Sequence, residues 1–164
     1  MVDQQRRVAV VTGAGRGLGQ AFALGLAERG DAVVAVARTA DQLRETERLA
    51  VGASGSVVRL TCDVSDHRAV AALADEIRSR LGSPSILVNA AGIFGPIDLI
   101  RDADPEHWQR TTMVDAVAAF YTANAFIGDM LDAGWGRIVN VTSAASLHPP
   151  GPINSAYSTA KAAL

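Results

Sequence analysis

The chain has 164 residues, 49% of them apolar and 20% charged, with a formal net charge of −2, the make-up of one soluble globular domain with enough length for a core. Its fifteen Lys and Arg are dispersed along the sequence, which argues against nucleic acid or an anionic membrane as the main partner. Cys62 is the single cysteine, so an internal disulfide is excluded and a reducing, cytoplasmic compartment fits; neither a signal-peptide core after "MVDQQRR" nor an apolar run of membrane-span length is visible.

In chain order, short Val-rich runs alternate with longer Ala-rich amphipathic stretches. "RVAVVT" (7–12) is short, β-branched and bounded by glycine, and predicts a fully buried strand. A helix is expected from Gly17 to Arg29, with Gly30 as its stop. "AVVAVA" (32–37) repeats the strand pattern, and Thr39 with Gln42 forms a possible capping box for a helix ending near Gly52. "SVVRLT" (56–61) predicts the third strand, and Ser65 a cap for the helix that runs to Gly82. "SILVNA" (85–90) predicts the fourth strand. Asp104 followed by Pro105 marks the start of one long helix, and "RIVNVT" (137–142) predicts the fifth strand.

Strict alternation of strand and helix, with strands that lack a polar face, implies a parallel sheet covered by helices on both sides. Right-handed crossovers and only five strands favour an open, Rossmann-like doubly wound sheet, in the order 3-2-1-4-5, over an eight-stranded barrel. No repeat, linker or internal boundary divides residues 1–164, which read as one α/β domain.

"TGAGRGLG" (12–19) follows the first strand and opens the first helix. Glycines there let backbone amides approach a pyrophosphate at a helix N-terminus, where the dipole favours anions. In this sequence context the chain resembles the short-chain dehydrogenase/reductase family over its whole length. The family's T-G-x-x-x-G-x-G is matched by Thr12, Gly13, Gly17 and Gly19, with Arg16 and Leu18 in the same loop. Its Asp-plus-apolar pair after the third strand is matched by Asp63 and Val64. Its Asn-Asn-Ala-Gly turn becomes "NAAG" (89–92), bringing Asn89, Ala90 and Gly92 to the cofactor side, with Ala90 in place of the second Asn. Ser143 ends the fifth strand, and Tyr157 and Lys161 supply the Tyr-x-x-x-Lys pair.

Residues four apart share a helix face, so Lys161 can lie alongside Tyr157. A free tyrosine titrates near pH 10, and a neighbouring ammonium favours its phenolate, which is what a proton donor working near neutrality needs. The resemblance implies that Tyr157 protonates a carbonyl oxygen while a nicotinamide delivers hydride, that Lys161 also holds the ribose, and that Ser143 hydrogen-bonds the substrate. Ser146 is a rival for that last role; Ser143 is preferred because it lies immediately beyond the strand. The segment from Ser143 to Tyr157 is one residue longer than the family's commonest spacing, which a loop containing "HPPGP" can absorb.

NAD-binding sites of this type carry an acid at the end of the second strand. Here Ala37 stands there, Arg38 follows, and Arg16 is within reach, so two guanidiniums and no carboxylate favour a 2′-phosphate and NADP(H) over NAD(H). His67, His107 and His148 lack metal-ligand spacing and no metal is expected, although His148 could line a substrate pocket. Cys62 is expected to fill space, and Trp108 and Trp135 to pack.

Two departures from the family pattern stand out. Asp115 occupies the place where relatives usually carry an Asn that positions a water near the catalytic Lys; its charge is expected to offset part of the Lys161 field and to give a slower enzyme with a more alkaline optimum. The resemblance also implies two further strands, completion of the helix after Lys161, another helix and a substrate-covering loop. None is in the sequence, so a truncated part of a longer homo-oligomeric protein is expected, cut within the helix of Tyr157 and Lys161. The expected activity is a carbonyl reductase or alcohol dehydrogenase acting on a small molecule; the alternative is a nucleotide-binding remnant without turnover.

Overall fold

The computed structural model describes residues 6–148 and 151–164. Five parallel strands, β1 (Val8–Thr12), β2 (Ala32–Ala37), β3 (Ser56–Thr61), β4 (Ile86–Asn89) and β5 (Arg137–Asn140), form one sheet in the order β3-β2-β1-β4-β5. The crossovers carry α1 (Gly17–Glu28), α2 (Ala40–Leu49), α3 (His67–Leu81), and α4 (Pro105–Thr112) running into α5 (Ala118–Asp132); α6 (Ser155–Ala163) follows β5. The doubly wound Rossmann-like architecture expected from the alternating pattern is therefore the observed one.

Successive strand residues point to opposite faces, and the core divides accordingly. Val10, Val34, Val36 and Leu87 pack with Val70, Leu73 and Ile77 of α3 and with Phe126 and Met130 of α5. On the other face Ala9, Val11, Val33, Ala35 and Val88 pack with Ala23 and Ala27 of α1 and Leu43 of α2. Each fully buried Val or Leu side chain contributes about 1.5–3 kcal/mol, so the three central strands, buried on both faces, hold the sheet together.

The expectation of strands without a polar face holds for β1, β2 and β4 but not for the edges. β3 alternates between covered and exposed residues, and its Arg59 turns outward to Glu47 at 2.7 Å. All four residues of β5 are exposed, Ile138 and Val139 among them, which leaves an apolar edge on this sheet.

Local signals differ from expectation in three places. α3 is capped by Asp66, whose carboxylate accepts from the Arg68 and Ala69 N–H groups; Ser65 instead donates its hydroxyl to Asp63 at 2.7 Å. Thr39 precedes α2 but makes no side-chain cap bond. The long helix does start at Asp104 and Pro105, with the Asp104 carboxylate accepting from Glu106 and His107. It is not continuous, because a π turn over Met113–Val117 separates α4 from α5 and carries Asp115 at its centre.

Candidate active site

The site forms where the strand order reverses, between the carboxyl ends of β1 and β4. Thr12 stitches the two ends together: its Oγ1 accepts from the N–H groups of Ala90 and Ala91, each at 3.2 Å. Gly13 then turns into the loop with φ +66°, and a Cβ there would stand 2.7 Å from the Ala90 carbonyl oxygen. The glycine loop and the "NAAG" turn thus touch backbone to backbone, as only a glycine permits. The N-terminus of α1 has no side-chain cap among the described residues, which leaves its first amides available to another acceptor.

A cleft of about 480 Å³ runs along this edge. Of the residues expected to bind a cofactor, Gly13, Arg16, Leu18, Gly19, Arg38, Asp63, Val64, Ala90, Gly92, Tyr157 and Lys161 line it. Asn89 and Gly17 do not. The Asn89 side chain lies beneath the sheet end, donating to Asn140 Oδ1 at 3.0 Å and accepting from the Thr122 hydroxyl at 2.7 Å, so it braces β4 against β5 and α5. Gly17 is the first residue of α1, exposed, with φ +57°.

On the β2–β3 side, Arg38 and Asp63 approach to 3.9 Å, both nearly half exposed. Burial alone would raise the Asp63 carboxyl; hydrogen bonds from the Ser65 hydroxyl and N–H, with Arg38 and Arg110 nearby, outweigh it and hold the group below the ordinary Asp range. Cys62 lies under this end, its thiol pushed up to about 11 chiefly by burial, then by the charges of Asp63 and Asp66. A neutral thiol of that kind fills space and is a poor nucleophile.

On the β4–β5 side, α6 presents Tyr157 and Lys161 to the cleft one turn apart, with the Lys161 Nζ 5.7 Å from the phenol ring centroid. The ammonium is buried; it donates to the Val141 carbonyl at 3.0 Å and stands 3.6 Å from Asp115 Oδ2, an ion pair too long for a hydrogen bond. Asp115 is 1% exposed. Its Oδ1 accepts from the Ile93 N–H at 2.7 Å, while Oδ2 has no hydrogen-bond partner among the described residues. Burial raises the Asp115 carboxyl above the ordinary range, and the Ile93 amide and Lys161 only partly oppose it.

The serines are placed differently. Ser143 caps a short 3₁₀ turn over Ala144–Ser146, its Oγ accepting from the Ala145 N–H at 3.2 Å. Ser146 donates its hydroxyl to the Ser143 carbonyl at 2.6 Å. Neither lines the cleft; among the described residues the Ser143 hydroxyl proton has no acceptor, whereas that of Ser146 goes to the Ser143 carbonyl. Part of the "HPPGP" loop expected to absorb the extra residue, 149–150, lies outside the described residues. His148 is exposed and absent from the cleft lining, and no cluster of His, Cys, Asp or Glu among the described residues has metal-binding geometry. Trp108 donates to Ser155 at 3.2 Å, tying α4 to the start of α6, and Trp135 lies between Arg7 and Arg137.

Sequence reasoning missed Phe94. It follows the "NAAG" turn, lines the cleft and stacks on Tyr157, ring centroids 4.8 Å apart and planes 21° from parallel. Nothing in local spacing announces a contact between residues so far apart in the chain.

The short chain dehydrogenase family model matches residues 7–164, and the chain belongs to that family. It is 38% identical to the 3-oxoacyl-acyl-carrier-protein reductase FabG of Pseudomonas aeruginosa over 164 residues, which is 98% of this chain and 64% of that protein. Among solved structures, it is similar to a metagenomic short-chain oxidoreductase in complex with NADP (36% identity, TM-score 0.90, covering 96% of this chain and 71% of that one). It is also similar to an NAD+-bound xylitol dehydrogenase (31% identity, TM-score 0.91, covering 96% and 60%). The chain spans about three-fifths of the length of the curated relatives it matches. No helix among the described residues is long and apolar enough to cross a membrane.

Proposed function

We propose that the whole protein carrying this chain is an NADP(H)-dependent oxidoreductase that interconverts a carbonyl and an alcohol, with Tyr157 as general acid and base. The observation that carries the reading is the convergence on one cleft of the Gly13 turn, Arg38, and the Tyr157–Lys161 pair. The residues fit a dinucleotide. A Cβ at Gly13 would fill the cradle against Ala90, the α1 amides suit a pyrophosphate, Asp63 and Val64 suit an adenine, and Arg16 and Arg38 suit a 2′-phosphate. Tyr157 and Lys161 would hold the ribose next to the nicotinamide, which supplies a hydride to the carbonyl carbon when bound.

In this reading Tyr157 gives its phenolic proton to the substrate oxygen in reduction and takes it back in oxidation. The buried Lys161 ammonium, fixed on the Val141 carbonyl, favours negative charge on that phenol at the moment the proton leaves. Ser143 donates its remaining proton to the substrate oxygen. Asp115 draws on the same ammonium from behind and offsets part of its field. The NADP-bound structural relative supports the cofactor choice and the NAD+-bound one opposes it; Ala37 in place of an acid, with Arg38 next to it, favours NADP(H). Exposed Phe120, Ile127 and Leu131 share a face of α5 and support a homo-oligomer.

The test is fluorescence titration of the whole protein with NADPH and NADH, followed by NADPH oxidation with a panel of ketones. Tighter NADPH binding with turnover is expected. Tighter NADH binding overturns the cofactor assignment, and binding without turnover leaves the non-catalytic nucleotide-binding module in its place.

A further inference from the structure

We infer that Phe94 is a specificity-determining residue, an aromatic platform beside Tyr157 that selects neutral carbonyl compounds with a flat ring next to the carbonyl over straight-chain ones. The inference rests on the oxidoreductase reading above. One side of the Phe94 ring covers the phenol of Tyr157 in an offset stack. The residue is nonetheless 52% exposed and lines the cleft, so part of its surface is open to a molecule that enters beside Tyr157.

The ring is carried on a built segment and not on a loop tip. Its preceding residue is anchored through the Ile93 N–H to the buried Asp115 carboxylate at 2.7 Å. Its following residue, Gly95, has φ +81°, and a Cβ there would stand 2.6 Å from Thr111 Oγ1 on α4. Both backbone neighbours are thus pinned to the α4–π-turn segment, and the Asp115 that departs from the family pattern is one of the pins.

The charges around the cleft narrow the class of substrate. Arg16, Arg38 and Asp63 lie toward β2 and β3, and at the Tyr157 end the charged lining residues are Lys161 and Asp115, buried against each other. Among the described residues, that end offers an approaching molecule an aromatic face and a hydroxyl but no exposed charge. A flat neutral ring stacks on such a face, whereas an alkyl chain gains only area contact; aromatic pairing adds about a two- to tenfold preference.

The experiment compares kcat/KM for an aryl methyl ketone and a straight-chain methyl ketone of equal carbon number, with NADPH, in the wild-type whole protein and in Phe94→Leu and Phe94→Trp. The expected result is a wild-type preference for the aryl ketone beyond that of Phe94→Leu by about two- to tenfold, retained or increased in Phe94→Trp. An exposed Phe-to-Leu change leaves the core intact, and an unshifted melting temperature with unchanged NADPH affinity shows that the ratio reports substrate choice. Turnover with a ratio unchanged by Phe94→Leu overturns the platform and leaves the oxidoreductase reading standing. Absence of turnover with every carbonyl and alcohol in a broad panel withdraws both.

Discussion

Replacing Asp115 with Asn removes one negative charge from behind Lys161 while keeping the shape of the side chain and an oxygen for the Ile93 N–H. The consequence for catalysis can be scaled from the structure. With the ammonium 5.7 Å from the phenol ring centroid, its attraction for a phenolate is about 3 kcal/mol at an effective dielectric constant of about 20. Asp115 lies 3.6 Å from the same ammonium and opposes that attraction; an offset of about one third amounts to about 1 kcal/mol. Removing that offset predicts a rise of about fivefold in single-turnover rate at pH 7, and a pH–rate profile moved to lower pH by about 0.7 unit. The assay is stopped-flow NADPH oxidation with a saturating ketone between pH 5.5 and 10, with thermal melts to show that the variant is folded. A rate and profile unchanged by Asp115→Asn, or a slower variant, refute the reasoning.

Stability carries a second signature of the same residue. Because the folded-state Asp115 carboxyl is raised above its unfolded value, its contribution is fully present below about pH 4 and is lost as pH rises through the folded-state titration. The stability difference between Asp115→Asn and wild type should therefore move in favour of Asn as pH rises from about 4 to 7, read from denaturant melts; a constant or opposite difference contradicts the raised carboxyl. Arg38→Ser should weaken NADPH by about tenfold or more and NADH by less than about threefold, the loss of a charge-assisted contact discounted for exposure; equal losses on both cofactors would remove Arg38 from the 2′-phosphate. Gly13→Ala forces a side chain into a left-handed turn 2.7 Å from the Ala90 carbonyl and should cost about 1–3 kcal/mol together with most dinucleotide affinity; wild-type titration curves for both cofactors would deny that the turn cradles them.

Sheet order was legible because right-handed crossovers favour a doubly wound sheet, and strand identity because buried parallel strands demand β-branched residues on both faces, as in "VAVVT" and "AVVAVA". The same rule overreached at β3 and β5, where edge position, a property of the whole sheet, leaves one side uncovered. Ser65 and Asp66 are both good caps, and which one serves depends on Asp63 claiming the serine hydroxyl. The π turn had no local signal: the backbone slip that brings Asp115 under Lys161 is a tertiary arrangement between α4, α5 and α6. Tyr157 and Lys161 could be paired from helical spacing alone. Phe94 could not, since an aromatic in an irregular segment carries no periodicity, and its stack on Tyr157 exists only once α6 packs against α4 and the π turn.

The Tyr157 phenol is claimed to move a proton at one end of a cleft whose other end grips a dinucleotide, and Tyr157→Phe separates those two functions. The variant keeps the ring against Phe94 and loses only the hydroxyl, so single-turnover oxidation of bound NADPH by a ketone is the most direct measurement. Expected are an NADPH affinity within about tenfold of wild type, the scale of one lost ribose hydrogen bond, and a hydride-transfer rate lower by about a hundredfold or more, the scale of a lost general acid. Transfer within about tenfold of the wild-type rate at pH 7 would show that the proton comes from elsewhere.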